Sequence, residues 1–115
     1  MEQMMREAVH SRRNPIYAEA YAAMLRSYDF WKLYDHIEHS NMLGIFKRLY
    51  WDEDQSADTQ VKLSIDLGVA ERTLLRYRKQ FVRAFLYNLE EVHGEMRSGD
   101  AGRVLPRAGA DIRCG

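Results

Sequence analysis

The chain's two prolines stand at positions 15 and 106, and almost nothing between them would stop a helix. Proline removes a backbone donor and clashes with the preceding turn, so its absence leaves room for long helices. No run between the prolines shows the sustained period-two alternation of a half-buried strand, and no internal repeat is visible. Apolar residues recur instead at spacings of three and four. The expected fold class is all-α, a small helical domain of about five helices. A length of 115 residues suits one domain, and 46% apolar content is enough for a core rather than a disordered chain.

The helices can be followed along the chain. Residues 2–11 form a short candidate with Met4, Met5, Ala8 and Val9 on one side, marginal alone. Asn14-Pro15 then starts a new helix, because asparagine caps well and proline suits the first helical position. Tyr17, Tyr21, Met24, Tyr28 and Trp31 give that helix a sustained apolar stripe. A second stripe, Phe30, Tyr34 and Ile37, is slightly rotated from the first. Ser27 or Asp29 could cap a fresh helix there, so one bent helix and two separate helices both remain open. Core packing is the plain reading of the aromatic stripe, and a homodimer seam is the other.

Asn41 is expected to cap a helix over residues 42–51, with Met42, Ile45, Phe46 and Leu49 at helical spacing. "WDEDQSAD" follows, a polar acidic stretch read as a solvated loop, with Ser56 and Asp58 as candidate caps for the next helix. It lacks the spaced ligands and glycine of a calcium loop. Residues 94–115 hold five of the seven glycines and little apolar periodicity. They are expected to be a flexible tail, with a short docked segment around Val104-Leu105 or folding onto a partner. The expected organisation is a single helical domain over 1–93 (N-terminal helices in 14–51, a helix-turn-helix in 56–92) and a tail over 94–115.

The one cysteine, Cys114, permits neither an intramolecular disulfide nor a cysteine zinc cluster, and suits a reduced, cytoplasmic setting. The first residues have no signal-peptide apolar region, and no stretch approaches the ~20 apolar residues that span a bilayer. No membrane partner is expected.

"VKLSIDLGVAERTLLRYRKQF", residues 61–81, carries the functional argument. Its glycine, Gly68, suits a turn that needs positive φ. Leu63, Leu67, Val69, Leu74 and Tyr77 fall where two helices would lock together, and Ser64 is small enough for close approach. A long second helix, about residues 70–92, would bury Leu74, Tyr77, Phe81, Phe85, Leu89 and Val92. The rest of its surface carries Glu71, Arg72, Leu75, Arg76, Arg78, Lys79 and Arg83. The chain is neutral overall, with 17 basic and 17 acidic residues. Between Glu71 and Arg83 there are five bases and one acid, so positive charge gathers on this helix. Such a patch can steer a polyanion despite zero net charge.

Residues 46–85 resemble region 4 of bacterial sigma factors, and still more the sigma-region-4-like helix-turn-helix regulators of phages and prophages, the ArpU and RinA kind. The resemblance is carried by Leu63-Ser64-Ile65-Asp66-Leu67-Gly68-Val69, by Glu71-Arg72-Thr73-Leu74 and by Arg76-Tyr77-Arg78. It implies that Glu71, Arg72, Leu75, Arg76 and Lys79 face the major groove. Three positions depart from the family pattern. Ala70 replaces a capping serine, Leu75 is apolar where bases are expected, and Ser64 replaces an alanine, its hydroxyl expected to bond back to the preceding turn.

Nothing in the chain points to an enzyme or a cofactor. His36 and His39 could share a face with Asp35, but a third metal ligand is missing and an ordinary polar helix face is expected. No nucleophile stands beside a base in a recognised motif, and there is no glycine-rich phosphate loop. The expected partner is double-stranded DNA, with Arg72 and Arg76 reading bases, helped by Glu71 or Lys79. Arg78, Lys79 and Arg83 are expected to hold phosphates. The rival is a protein-binding helix-turn-helix with Leu75 as apolar anchor, facing RNA polymerase or another acidic protein. An oligomeric assembly module is a third reading.

Overall fold

The computed structural model describes residues 1–52 and 59–97. These hold five α-helices and no strand, so the chain is a small all-α domain. In order they are α1 (Glu2–His10), α2 (Ala18–Glu38), α3 (Met42–Phe46), α4 (Gln60–Leu67) and α5 (Glu71–Arg97). A 3-10 turn, Pro15–Tyr17, leads into α2, and a π-helical turn, Lys47–Trp51, extends α3. None of the described helices is long and apolar enough to cross a membrane.

Asn14 caps the 3-10 turn as its sequence suggests, its side-chain oxygen accepting the Ile16 N–H at 3.1 Å. Proline then occupies the first position, where a missing N–H costs nothing. α2 is one unbroken helix of 21 residues, which settles the alternative left open by the rotated stripes. Ser27 does not cap a new helix. Its hydroxyl donates to the Ala23 carbonyl at 2.9 Å inside α2 and accepts Asn88 Nδ2 of α5 at 3.0 Å. A helix-compatible internal partner and a cross-helix donor remove any reason to break there.

The start of α3 departs from expectation in its cap. Asn41 takes the capping position, but its side chain makes no capping bond. The Asp35 carboxylate, on the last turn of α2, accepts the N–H groups of Met42 at 2.8 Å and Leu43 at 2.7 Å. Two of the orphan donors that open a helix are thus satisfied by a neighbouring helix. Thr59 caps α4, its hydroxyl accepting the Lys62 N–H at 3.1 Å, while Ser56 and Asp58 lie outside the described residues.

α2 packs most extensively on α5, and α1 and α3 close over them. Met42, Ile45, Phe46 and Leu49 are all buried, as their spacing predicts. In α1, Met5, Ala8 and Val9 turn inward, whereas Met4 is exposed. The centre of the core is aromatic. Phe81 of α5 meets Trp31 at a 5.2 Å centroid distance, Phe46 at 5.3 Å and Tyr50 at 6.0 Å, each edge-on. Edge-to-face rings add ~1 kcal/mol per pair beyond their buried area. The molecule is a flattened slab, 49 × 34 × 18 Å, and α5 alone spans roughly 40 Å at 1.5 Å per residue.

α5 runs past Val92, through Gly94, to Arg97, and so takes in the first residues of the expected tail. Contacts with α2 offset the helical cost of glycine. His93 Nδ1 lies 2.8 Å from Glu19, and Arg26 pairs with Glu95 at 2.5 Å. The rest of the tail, Val104-Leu105 and Cys114 included, lies outside the described residues.

Candidate nucleic-acid interface

Within residues 61–81, α4 and α5 are joined by a short turn at Gly68. Gly68 ends α4 in the left-handed region, φ 70°. Its N–H donates to the Ile65 carbonyl at 3.2 Å, and the Val69 N–H donates to the Ser64 carbonyl at 3.1 Å. This pair of bonds satisfies the Ser64 and Ile65 carbonyls in the last turn of α4 and turns the chain. The Ser64 hydroxyl donates forward across the turn to the Val69 carbonyl, not back into the preceding turn. Leu63 and Leu74 are buried, and Leu67, Val69 and Tyr77 pack against the same core. Ala70 offers no capping oxygen, but its carbonyl accepts the Leu74 N–H at 2.8 Å and starts α5.

α5 divides into two faces. Leu74, Phe81, Phe85 and Val92 are buried, with Tyr77 and Leu89 packed beside them, as their spacing requires. On the opposite side Arg72, Arg76, Lys79 and Arg83 stand at spacings of four, three and four, all exposed. They form one stripe roughly 16 Å long. Among the described residues, no carboxylate lies within ion-pair distance of these four. Arg76 lies 5.7 Å from the centroid of the neighbouring Tyr77 ring, which steadies its stem without neutralising it. Glu71 is exposed in the first turn, where its charge suits the helix dipole, and its carbonyl accepts Gln60 Nε2 at 3.4 Å. Leu75 is 49% exposed beside the stripe.

The structure places Arg78 apart from the other bases. At 100° per residue it lies roughly 130° round the helix from the stripe. It makes a two-pronged pair with Glu2 of α1, Nη2 to Oε1 at 2.6 Å and Nε to Oε2 at 2.9 Å. Its remaining nitrogen, Nη1, donates to Gln60 of α4. Both charged side chains are about three-quarters buried. The Tyr50 hydroxyl donates to the same Glu2 carboxylate at 2.5 Å. Burial raises the Glu2 carboxyl, but bonds from Arg78 and Tyr50 and the charges of Arg78 and Arg6 outweigh it and hold its pKa below the ordinary value. Burial, together with Glu2, pushes the Tyr50 phenol up. Arg78 therefore fastens α1 and α4 to α5 beneath the stripe. Its place on the wheel is legible in the sequence, whereas its partners Glu2 and Gln60 are not.

The remaining polar candidates lie elsewhere. Asp66 sits 3.7 Å from Arg48 and 4.0 Å from Lys62, which keeps its charge on α4 away from the stripe. His36 is exposed on α2, and His39 ends α2 in the left-handed region, φ 55°. Among the described residues no group of three histidine, cysteine or acidic side chains is close enough to hold a metal ion. Compared with protein-family models, with curated proteins and with solved structures, the chain matches none of them.

Proposed function

We propose that this chain is a sequence-specific double-stranded DNA-binding protein, a transcriptional regulator of the phage or prophage type that sets the start of α5 in the major groove. The observation that carries this reading is the exposed stripe of Arg72, Arg76, Lys79 and Arg83, which starts just after the turn between α4 and α5 and lacks a carboxylate partner among the described residues. Four like charges on one helix are mildly unfavourable alone, and a polyanion relieves them. Arg72 and Arg76, nearest the helix start, read base edges, since the guanidinium fork matches guanine O6 and N7. Lys79 and Arg83 hold phosphates. Glu71 and Leu75 flank the reading positions, with Leu75 placed for a thymine methyl. Arg78 serves as a positioning residue, holding α4 against α5. The resemblance to sigma region 4 rests on the motif residues and agrees with this arrangement.

The test is selection from random duplexes at two salt concentrations, with Arg72→Ala/Arg76→Ala as control. Binding that weakens with salt, enriches one sequence and loses that preference in the control supports the reading. No binding at low salt, or unchanged preference in the control, overturns it.

A second reading has its own observation. Val61 and Ile65 of α4 and Leu75 of α5 expose 52%, 73% and 49% of their surfaces. Apolar residues beside arginines on one helix pair suit an acidic protein such as RNA polymerase.

A further inference from the structure

The α2·α5 pair has one flank whose character changes along its length. Toward the start of α2 it is closed by polar contacts, Glu19 with His93, Arg26 with Glu95 and Ser27 with Asn88. Past Ser27 it is apolar and, among the described residues, uncovered. Phe30, Leu33, Tyr34 and Ile37 of α2 are 48%, 58%, 39% and 61% exposed. Phe30 and Tyr34, with Tyr87 of α5, edge an apolar groove of about 510 Å³. These five side chains expose roughly 500 Å² together, at the upper end of what monomers leave open.

We propose that this flank is the interface with a second copy of the chain, two α2 helices lying antiparallel across a two-fold axis. An interface about a two-fold must complement itself, and this one does. Phe30, Leu33 or Tyr34, and Ile37 recur with the spacing of a two-helix seam. Asp29 and His36, both exposed, stand seven residues apart on one side of that seam. Antiparallel pairing sets Asp29 of one copy beside His36 of the partner subunit, and does so twice. A strongly acidic or basic partner would call for a rim of one sign, whereas this rim mixes Asp29, Lys32 and His36. With its rim the patch approaches the ~800 Å² per partner of a standard interface. The inference stands whatever the basic stripe binds.

Sedimentation equilibrium of the full chain without DNA tests it. The expected mass is twice the 13.5 kDa of one chain. Leu33→Glu/Ile37→Glu, at two exposed positions, should keep its helical circular dichroism and associate about 100-fold more weakly. Asp29→Lys should weaken association, and adding His36→Glu should restore it. A single-chain mass for the wild type, undiminished association in Leu33→Glu/Ile37→Glu, or no rescue by the charge exchange would each overturn the proposal.

Discussion

Arg78 and Glu2, 76 residues apart, are joined by two parallel hydrogen bonds of 2.6 and 2.9 Å between the longest helix and the first. The pair is largely buried and shares its acid with the Tyr50 hydroxyl, so it differs from an exposed bridge of little worth. Glu2 has its pKa lowered in the folded chain. Its contribution is therefore fully present above the unfolded carboxyl value and is lost as pH falls through the lower folded value. Urea midpoints should hold steady down to about pH 5 and then decline. Arg78→Ala should cost about 2 kcal/mol at neutral pH and flatten the part of that acid limb owed to Glu2. An unchanged acid limb in Arg78→Ala would show that the pair contributes nothing.

If the stripe holds DNA, its members should separate by role. Lys79→Ala and Arg83→Ala should each reduce the slope of log K against log salt by about 1 and leave sequence preference intact. Arg72→Ala and Arg76→Ala should each relax preference at one base pair by about 1–3 kcal/mol. Fluorescence anisotropy across a salt series distinguishes the two outcomes, and equal behaviour of all four would mean the stripe makes only backbone contacts.

Leu75→Ala separates DNA from protein as the partner of α5. The side chain is exposed, so its loss should leave stability within about 0.5 kcal/mol. A thymine methyl contact should weaken about threefold or less on its removal. As an apolar anchor in a protein interface it should cost more than about 2 kcal/mol. Binding titrations of the variant against a selected duplex and against RNA polymerase would read the difference.

The cap on α3 lies on Asp35 rather than on Asn41. Asp35→Ala leaves the Met42 and Leu43 N–H groups without their acceptor and should destabilise the fold by about 1–2 kcal/mol. Asn41→Ala, which removes no side-chain cap, should cost far less. Thermal melts of the two variants check this directly, and equal losses would return the cap to Asn41.

Gly68 has open space around an added Cβ but sits at φ 70°. Gly68→Ala should therefore cost about 1 kcal/mol through the backbone alone, without a packing loss. A much larger loss in chemical denaturation would mean that the turn cannot tolerate the methyl for another reason.

The sequence by itself determined the helical fold class, the buried faces of α3 and α5, and the turn. Met42, Ile45, Phe46 and Leu49, and again Leu74, Phe81, Phe85 and Val92, are buried because a 3.6-residue period fixes which side chains share a face. Gly68 ends α4 because a left-handed residue there is cheapest as glycine. Only the tertiary structure decided what touches across helices. Asp35 reaches the start of α3, Ser27 is engaged by Asn88, and Glu2 and Gln60 occupy Arg78. Local periodicity says that a charge is on a given side of a helix, but not which other helix lies there. That is why Arg72, Arg76, Lys79 and Arg83 stay exposed together while Arg78, with the same chemistry and in the same run of sequence, is drawn into the fold.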